Sequence, residues 1–312
     1  MSQKLFALAL AAAGLAVLFA VRLVGNEYLY FAGFIVLQYV VIATAWNILG
    51  GYTGYINFGS AGFLAAGTYT TIVLYKLVPS IPLPIMMACA GLVAGLIGLL
   101  TGYATLRVKG IFFSIATLAF SIVLQALVVN WSFVGGSRGI YVLRPQTTPL
   151  MDNYVQYLFL LMLVLSLLSL LMARGIERSK LGRGFTAIRD DETAAEACGV
   201  PTLKLKLIAA GLSGGLLGMA GAPLPYYLTY VEPSAAFSLS YAVNSLAMPL
   251  IGGMSHWAGP LIGALLLATS QQAASVTISS AVNLLVVGVL LVGFVVLAPK
   301  GIVGLFPSRR PQ

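Results

Sequence analysis

Seven of the 17 Lys/Arg and five of the eight Asp/Glu in this chain lie between Arg174 and Lys206. Elsewhere the sequence is apolar nearly end to end, and charged residues make up 8% of the whole. Chemistry must therefore come from this island or from isolated polar groups within apolar runs. Catalysis finds no constellation. The sequence holds no GxxxxGK[ST] phosphate loop, HExxH, GxSxG or CxxC. His256 is the single histidine and offers neither a triad nor a metal site. Cys89 lies in an apolar run and Cys198 in the island, without metal-ligand spacing or a disulfide framework.

The carboxylates narrow the choice further. Glu27, Asp152, Glu177, Asp190, Asp191, Glu192, Glu196 and Glu232 all fall at span edges or in loops. Carriers driven by ions keep an ionisable group inside the membrane to bind the proton or cation. With none near a span centre, a proton relay is not expected, and energy for transport would enter from outside the spans. The island is the natural inlet. Phe185 to Cys198 is rich in helix formers, and Gly199-Val-Pro201 is a stop signal. Together they predict one helix of about 12–15 residues. Phe185, Ile188 and Ala195 share a face, with Arg189, Glu192 and Glu196 alongside. An apolar knob flanked by charge suits insertion into a cleft on a partner protein. The alternative is a solvated interfacial helix with no partner.

The elements that must position this island are membrane spans. Sixty per cent hydrophobic residues and a mean hydropathy of +0.98 exclude an ordinary soluble domain. Segments in the bilayer must satisfy their backbone groups internally, which makes helices the default. The short alternating segments of a β-barrel are absent. The expected fold is an all-α polytopic bundle forming one domain over 1–312. Ten spans can be drawn: 5–24, 29–50, 59–78, 83–106, 110–131, 153–174, 204–228, 238–252, 256–275 and 280–298. The first is read as an uncleaved membrane helix rather than a signal peptide, because no clear cleavage site precedes Arg22. The eighth is short, holds Pro249, and is read as broken or re-entrant.

Charge tests the span count. With the island in the cytoplasm, alternation puts both termini inside and divides the 17 Lys/Arg into 13 inside and 4 outside. That bias obeys the positive-inside rule. The outside four are Arg22, Lys76, Arg138 and Arg144. The net charge of +9 thus reflects membrane topology rather than nucleic-acid binding.

Small residues line several spans: Gly91, Gly95, Gly98 and Gly102 in the fourth, Gly211, Gly215, Gly218 and Gly221 in the seventh, Gly259 and Gly263 in the ninth. Such faces let helix backbones approach closely, within one subunit or between two. Two segments look discontinuous. Asn47 to Ser60 carries four glycines and two asparagines, and Asn244 to Gly253 carries Pro249 and a Gly-Gly pair. Paired breaks of this kind mark an inverted repeat and a solute pathway; two tight turns that need glycine are the alternative.

These residues resemble a family. Gly184 to Gly199 followed by a long helix looks like the cytoplasmic coupling loop of ABC importer permeases, whose Glu-Ala-Ala run precedes a Gly. Here Glu192 stands one residue further from Gly199 than that pattern asks. Asn47 to Tyr69, Arg107 to Phe120, Asn130-Trp131 with Gly135-Gly136, Tyr226 to Ser238, and Gly252 to Pro260 resemble, in order, the LivM-type permeases of branched-chain amino-acid importers. The set covers most of residues 45–265. Ser60 stands where such permeases commonly carry His, so the solute does not carry over with the pattern.

The resemblance implies a permease without enzymatic activity in the bacterial inner membrane. Two ABC ATPase subunits, binding ATP and Mg themselves, would grip a coupling loop at 175–203. A second permease, most simply a homologous one, would complete the pathway, and a periplasmic solute-binding protein would deliver the solute. The ATPase contact would fall on Phe185, Arg189, Asp190, Asp191, Glu192, Glu196 and Gly199. The pathway would use Asn47, Tyr52, Asn57, Phe58, Ser60 and Asn244. Arg138, Arg144 and Asp152 would face the binding protein. A sugar, urea or amide permease powered in the same way, or a carrier or channel working alone, are the other readings.

Overall fold

A computed structural model describes residues 3–105, 108, 110–145, 153–277, 285, 288–289, 292–293 and 301–304. The chain is an all-α bundle. Its helices are α1 (Gln3–Val24), α2 (Glu27–Thr53), α3 (Ser60–Leu77), α4 (Leu83–Thr105), α5 (Ile111–Val129), α6 (Tyr154–Arg178), α7 (Lys180–Asp190), α8 (Glu192–Ala197), α9 (Thr202–Gly221), α10 (Leu224–Leu228), α11 (Pro233–Ala236), α12 (Leu239–Gly252) and α13 (Ala258–Thr277). Nine of the ten expected spans correspond to α1–α6, α9, α12 and α13. The tenth, 280–298, lies outside the described residues except at five positions.

Among the described residues, seven stretches are long and apolar enough alone to cross a membrane: α1, α2, α4, α5, α6, 202–228 and 233–252. The helices α3 and α13 fall outside that group. Thr68, Tyr69, Thr70 and Thr71 dilute one, and Thr269, Ser270, Gln271 and Gln272 dilute the other. Both pack into the bundle, so neighbouring helices rather than lipid cover much of their surface.

The hub is α2. It is apolar on every side, the mark of a helix surrounded by protein, and every residue from Val40 to Thr53 is buried. Helices α6, α9, α12 and α13 pack around it. The first helix, by contrast, buries only Phe6 and Gly14 and rests chiefly on α6.

The glycine faces of α4 and α9 meet each other. A Cβ added at Gly98 would lie 2.7 Å from the Ala210 carbonyl oxygen, and one at Gly218 2.6 Å from that of Ala90. This seam therefore lies within one chain, and it works because glycines of each helix meet the backbone of the other.

The end of α2 is a true break. Gly54 adopts φ 78° and its N–H caps the Gly50 carbonyl. The chain then folds back beside α2: the Trp46 indole N–H donates to the Asn57 carbonyl at 2.7 Å. So α3 starts at a buried Ser60, well inside the bundle.

The second break follows α12. This helix has 14 residues, about 21 Å at 1.5 Å per residue and short of a bilayer core of about 30 Å. Tyr39 on α2 pairs with Asn244 on α12, and Asn47 further along α2 reaches Met254 just past α12. The two helices therefore run parallel, and both break at the same end of the molecule. The expected inverted repeat finds no support in this pair, because inverted halves would run in opposite directions.

Away from the island, β1 (Ile140–Tyr141) and β2 (Tyr230–Val231) pair antiparallel. Arg144 clamps the Tyr226 and Tyr227 carbonyls at 2.7 and 2.6 Å.

Candidate functional site: a charged platform and two broken segments

The island folds as two helices rather than the single one expected. Asp191 is the reason. Its backbone is extended (φ −160°, ψ 108°), and its carboxylate accepts from the Thr193 and Ala194 N–H groups at 2.9 and 3.0 Å. Asp is among the strongest N-cap residues, so it ends α7 and starts α8. Ser179 caps α7 in the same manner through the Gly182 N–H. Gly199, at φ 81°, turns the chain out of α8, and the Val200 N–H returns to the Ala195 carbonyl.

The apolar knob points the other way from the expectation. Phe185, Ile188 and Ala195 are 0%, 3% and 5% exposed, so they anchor the platform to its own bundle. Burial of two such side chains supplies several kcal/mol at roughly 1.5–3 kcal/mol each. This leaves charge on the outer face. Arg183, Arg189, Asp190, Asp191 and Glu196 are exposed. Arg189 and Asp190 pair at 3.3 Å, with the Asp190 side chain 67% exposed.

Glu192 departs from this outward set. It accepts from the Tyr55 hydroxyl at 2.5 Å and from Lys206 Nζ at 2.7 Å. Burial pushes the Tyr55 phenol above its ordinary pKa, and the adjoining Glu192 carboxylate pushes it further. Tyr55 thus keeps its proton and donates. Glu196 accepts from Thr202 at 2.5 Å, tying α8 to the start of α9. Beside the platform lies a polar cavity of about 370 Å³, lined by Tyr52, Glu177, Arg183, Thr186, Arg189 and Ser255.

The expected pathway residues lie inside the bundle, and Tyr52 also lines the cavity beside the platform. Asn47, Tyr52, Asn57, Ser60 and Asn244 are buried, and Phe58 is half-buried. The Ser60 and Ser245 hydroxyls pair at 2.8 Å, joining the start of α3 to α12. Asn244 donates to the Tyr39 hydroxyl at 3.2 Å and accepts from Gln271 at 3.0 Å. Asn47 donates to the Met254 carbonyl at 3.1 Å. Asn57 folds onto its own turn, accepting from the Gly59 N–H at 2.7 Å, and Thr117 on α5 accepts from the Phe58 N–H. Tyr52 reaches the Ala173 carbonyl at 3.5 Å.

Tyr39, Ser245, Gln271 and Thr117 escaped the sequence reading. Polar residues inside apolar runs were the available signal, since buried polar groups require partners. At the far end, Arg138 is exposed while Arg144 is engaged by backbone carbonyls. Asp152 lies outside the described residues.

A helical bundle with buried, hydrogen-bonded polar side chains inside it and a charged platform on one end is laid out as a membrane transport protein. The chain belongs to the family described as branched-chain amino acid transport system / permease component, whose model matches residues 28–295. It is 29% identical over 302 residues to the high-affinity branched-chain amino acid transport system permease protein LivM of Escherichia coli, covering 88% of this chain and 69% of that one. The LivM protein of Salmonella typhimurium is 28% identical over the same shares. A probable branched-chain amino acid transport permease protein LivH of Methanocaldococcus jannaschii is 25% identical over 265 residues, 80% of this chain and 82% of that one. No solved structure matches the chain.

Proposed function

We propose that this chain is the membrane permease subunit of an ABC importer that carries branched-chain amino acids, or a closely related small solute, into the cytoplasm. The observation that carries the reading is the platform. In a chain of a transport permease family, α7 and α8 hold their apolar face in the bundle and present Arg189, Asp190, Asp191 and Glu196 outward. Two ATPase subunits dock on that outer face and bind the ATP and Mg.

A second, homologous permease completes the pathway, and a periplasmic binding protein meets the far end near the exposed Arg138. The platform end faces the cytoplasm, with both termini there. Among the described residues, Lys4, Arg174, Arg178, Lys180, Arg183, Arg189, Lys204 and Lys206 belong to the platform end, against Arg22, Lys76, Arg138 and Arg144 at the other. That imbalance follows the positive-inside rule. Closure of the ATPases displaces α7 and α8, and the hydrogen bonds that Asn47 makes to Met254, Asn244 to Tyr39 and Gln271, and Ser60 to Ser245 exchange as the pathway switches.

Purification of the tagged chain in mild detergent tests the reading. ATPase subunits should accompany it, and leucine-loaded binding protein should stimulate ATP turnover in vesicles. A chain that transports leucine with no ATPase attached overturns it.

A further inference from the structure

Force on α7 and α8 needs a route to the broken segments, and polar contacts can supply one. One group of three does. Glu192 opens α8, Lys206 lies in the first turns of α9, and Tyr55 follows the Gly54 break. Their contacts close a triangle. Lys206 Nζ donates to Glu192 at 2.7 Å and to the Tyr55 hydroxyl at 3.1 Å, while Tyr55 donates to Glu192 at 2.5 Å. The ammonium also sits 4.8 Å from the centre of the Tyr55 ring, and that ring stands edge-on to Phe113 of α5.

The pair is nearly dry: the Lys206 and Glu192 side chains are 4% and 12% exposed. A buried ion pair adds little net stability over an apolar pair, because desolvation offsets the attraction. What it holds is geometry, since separating the partners strands a charge. Tyr55 is also the first of a run of pinned residues. Ile56 accepts from Ser114, Asn57 accepts from Trp46, Phe58 donates to Thr117, and Ser60 pairs with Ser245. Four residues thus separate Tyr55 of the triangle from Ser60 of the hydroxyl pair.

We propose that Tyr55, Glu192 and Lys206 form a latch that transmits movement of the platform to the 54–60 segment. They are positioning residues. Glu192 faces this triangle rather than the docked ATPase, which sets it apart from the outward acidic residues beside it. The inference rests on the permease reading above.

The test uses the complete importer in vesicles, with leucine as the transported probe. Lys206→Gln should retain its ATPase subunits and its ATP turnover without binding protein, while leucine carried per ATP falls about tenfold, a typical size for coupling between sites. Tyr55→Phe, which keeps the ion pair, should lower the same ratio by about fivefold, the low end of such coupling. The double exchange Glu192→Lys with Lys206→Glu should recover most of the loss. A wild-type ratio in Lys206→Gln overturns the latch. A parallel fall of ATP turnover and uptake with a lower melting temperature also overturns it, since that marks a structural strut. If Lys206→Gln does not assemble, Tyr55→Phe decides: a lowered ratio supports the latch and an unchanged one refutes it. Absence of ATPase subunits from the wild-type complex would instead refute the permease reading, and the latch with it.

Discussion

Where α4 meets α9, the carbonyl oxygens of Ala90 and Ala210 face glycines of the opposite helix, with no room for a methyl group. Where the platform meets the bundle, the buried Phe185, Ile188 and Ala195 join it together with a few hydrogen bonds and the Glu192–Lys206 ion pair. Close-packed interiors shift little, because each displacement is resisted by many atoms at once. Hydrogen-bonded contacts can exchange partners at small net change in free energy. On the proposed reading the seam moves as one body and movement enters at the junction. A substitution in the seam should harm everything together, whereas one at the junction should separate ATP hydrolysis from transport.

The largest effect belongs to the seam. A Cβ at Gly218 would come 2.6 Å from the Ala90 carbonyl oxygen and closer still to the Ala94 side chain. Gly218→Leu should cost about 3 kcal/mol or more, as overpacking does. Its melting temperature in detergent should drop, and uptake and ATP turnover should disappear together; a stable, active variant would break the comparison.

Asp191→Ala comes next. Loss of the cap costs about 1 kcal/mol, and hydrogen exchange should quicken at the α8 amides while α4 and α9 stay protected. Ser245→Ala removes the hydroxyl's bonds to Ser60 and to the Ala242 carbonyl and leaves Ser60 to find another partner, about 1 kcal/mol. A double-mutant cycle with Ser60→Ala on uptake rate should show coupling between the two sites, and additivity would remove this pair from the switching step. Arg189→Ala should change stability least, by at most about 0.5 kcal/mol, because its pair with Asp190 is exposed. Any marked loss of ATPase binding in that variant therefore reports docking rather than folding.

The bundle, the island and both breaks were legible because each rests on local rules. Apolar runs must form helices in lipid, and Gly54 and Gly253 occupy positive φ that other residues avoid. The glycine faces were visible too, but their partner was not, since spacing along one helix says nothing of the helix opposite. The Asp191 break escaped notice because its strength lies in a cap geometry, whereas the residues around it all favour helix. Phe185 and Ile188 show a different limit. A face can be read from sequence, but whether it seeks a partner or its own bundle depends on what lies beneath. The parallel course of α2 and α12, which sets aside an inverted relation between them, is likewise a tertiary fact.

The central claim is that the outer face of the platform receives the ATPases. Asp190 and Ala194 are both exposed, one on α7 and the other on α8. The most direct measurement is solute-stimulated ATP turnover by the importer carrying Asp190→Arg with Ala194→Arg, assayed in vesicles with leucine-loaded binding protein. The account predicts that stimulation is lost and the ATPase subunits dissociate, while the permease keeps its melting temperature. Wild-type stimulation with the subunits still bound would contradict it.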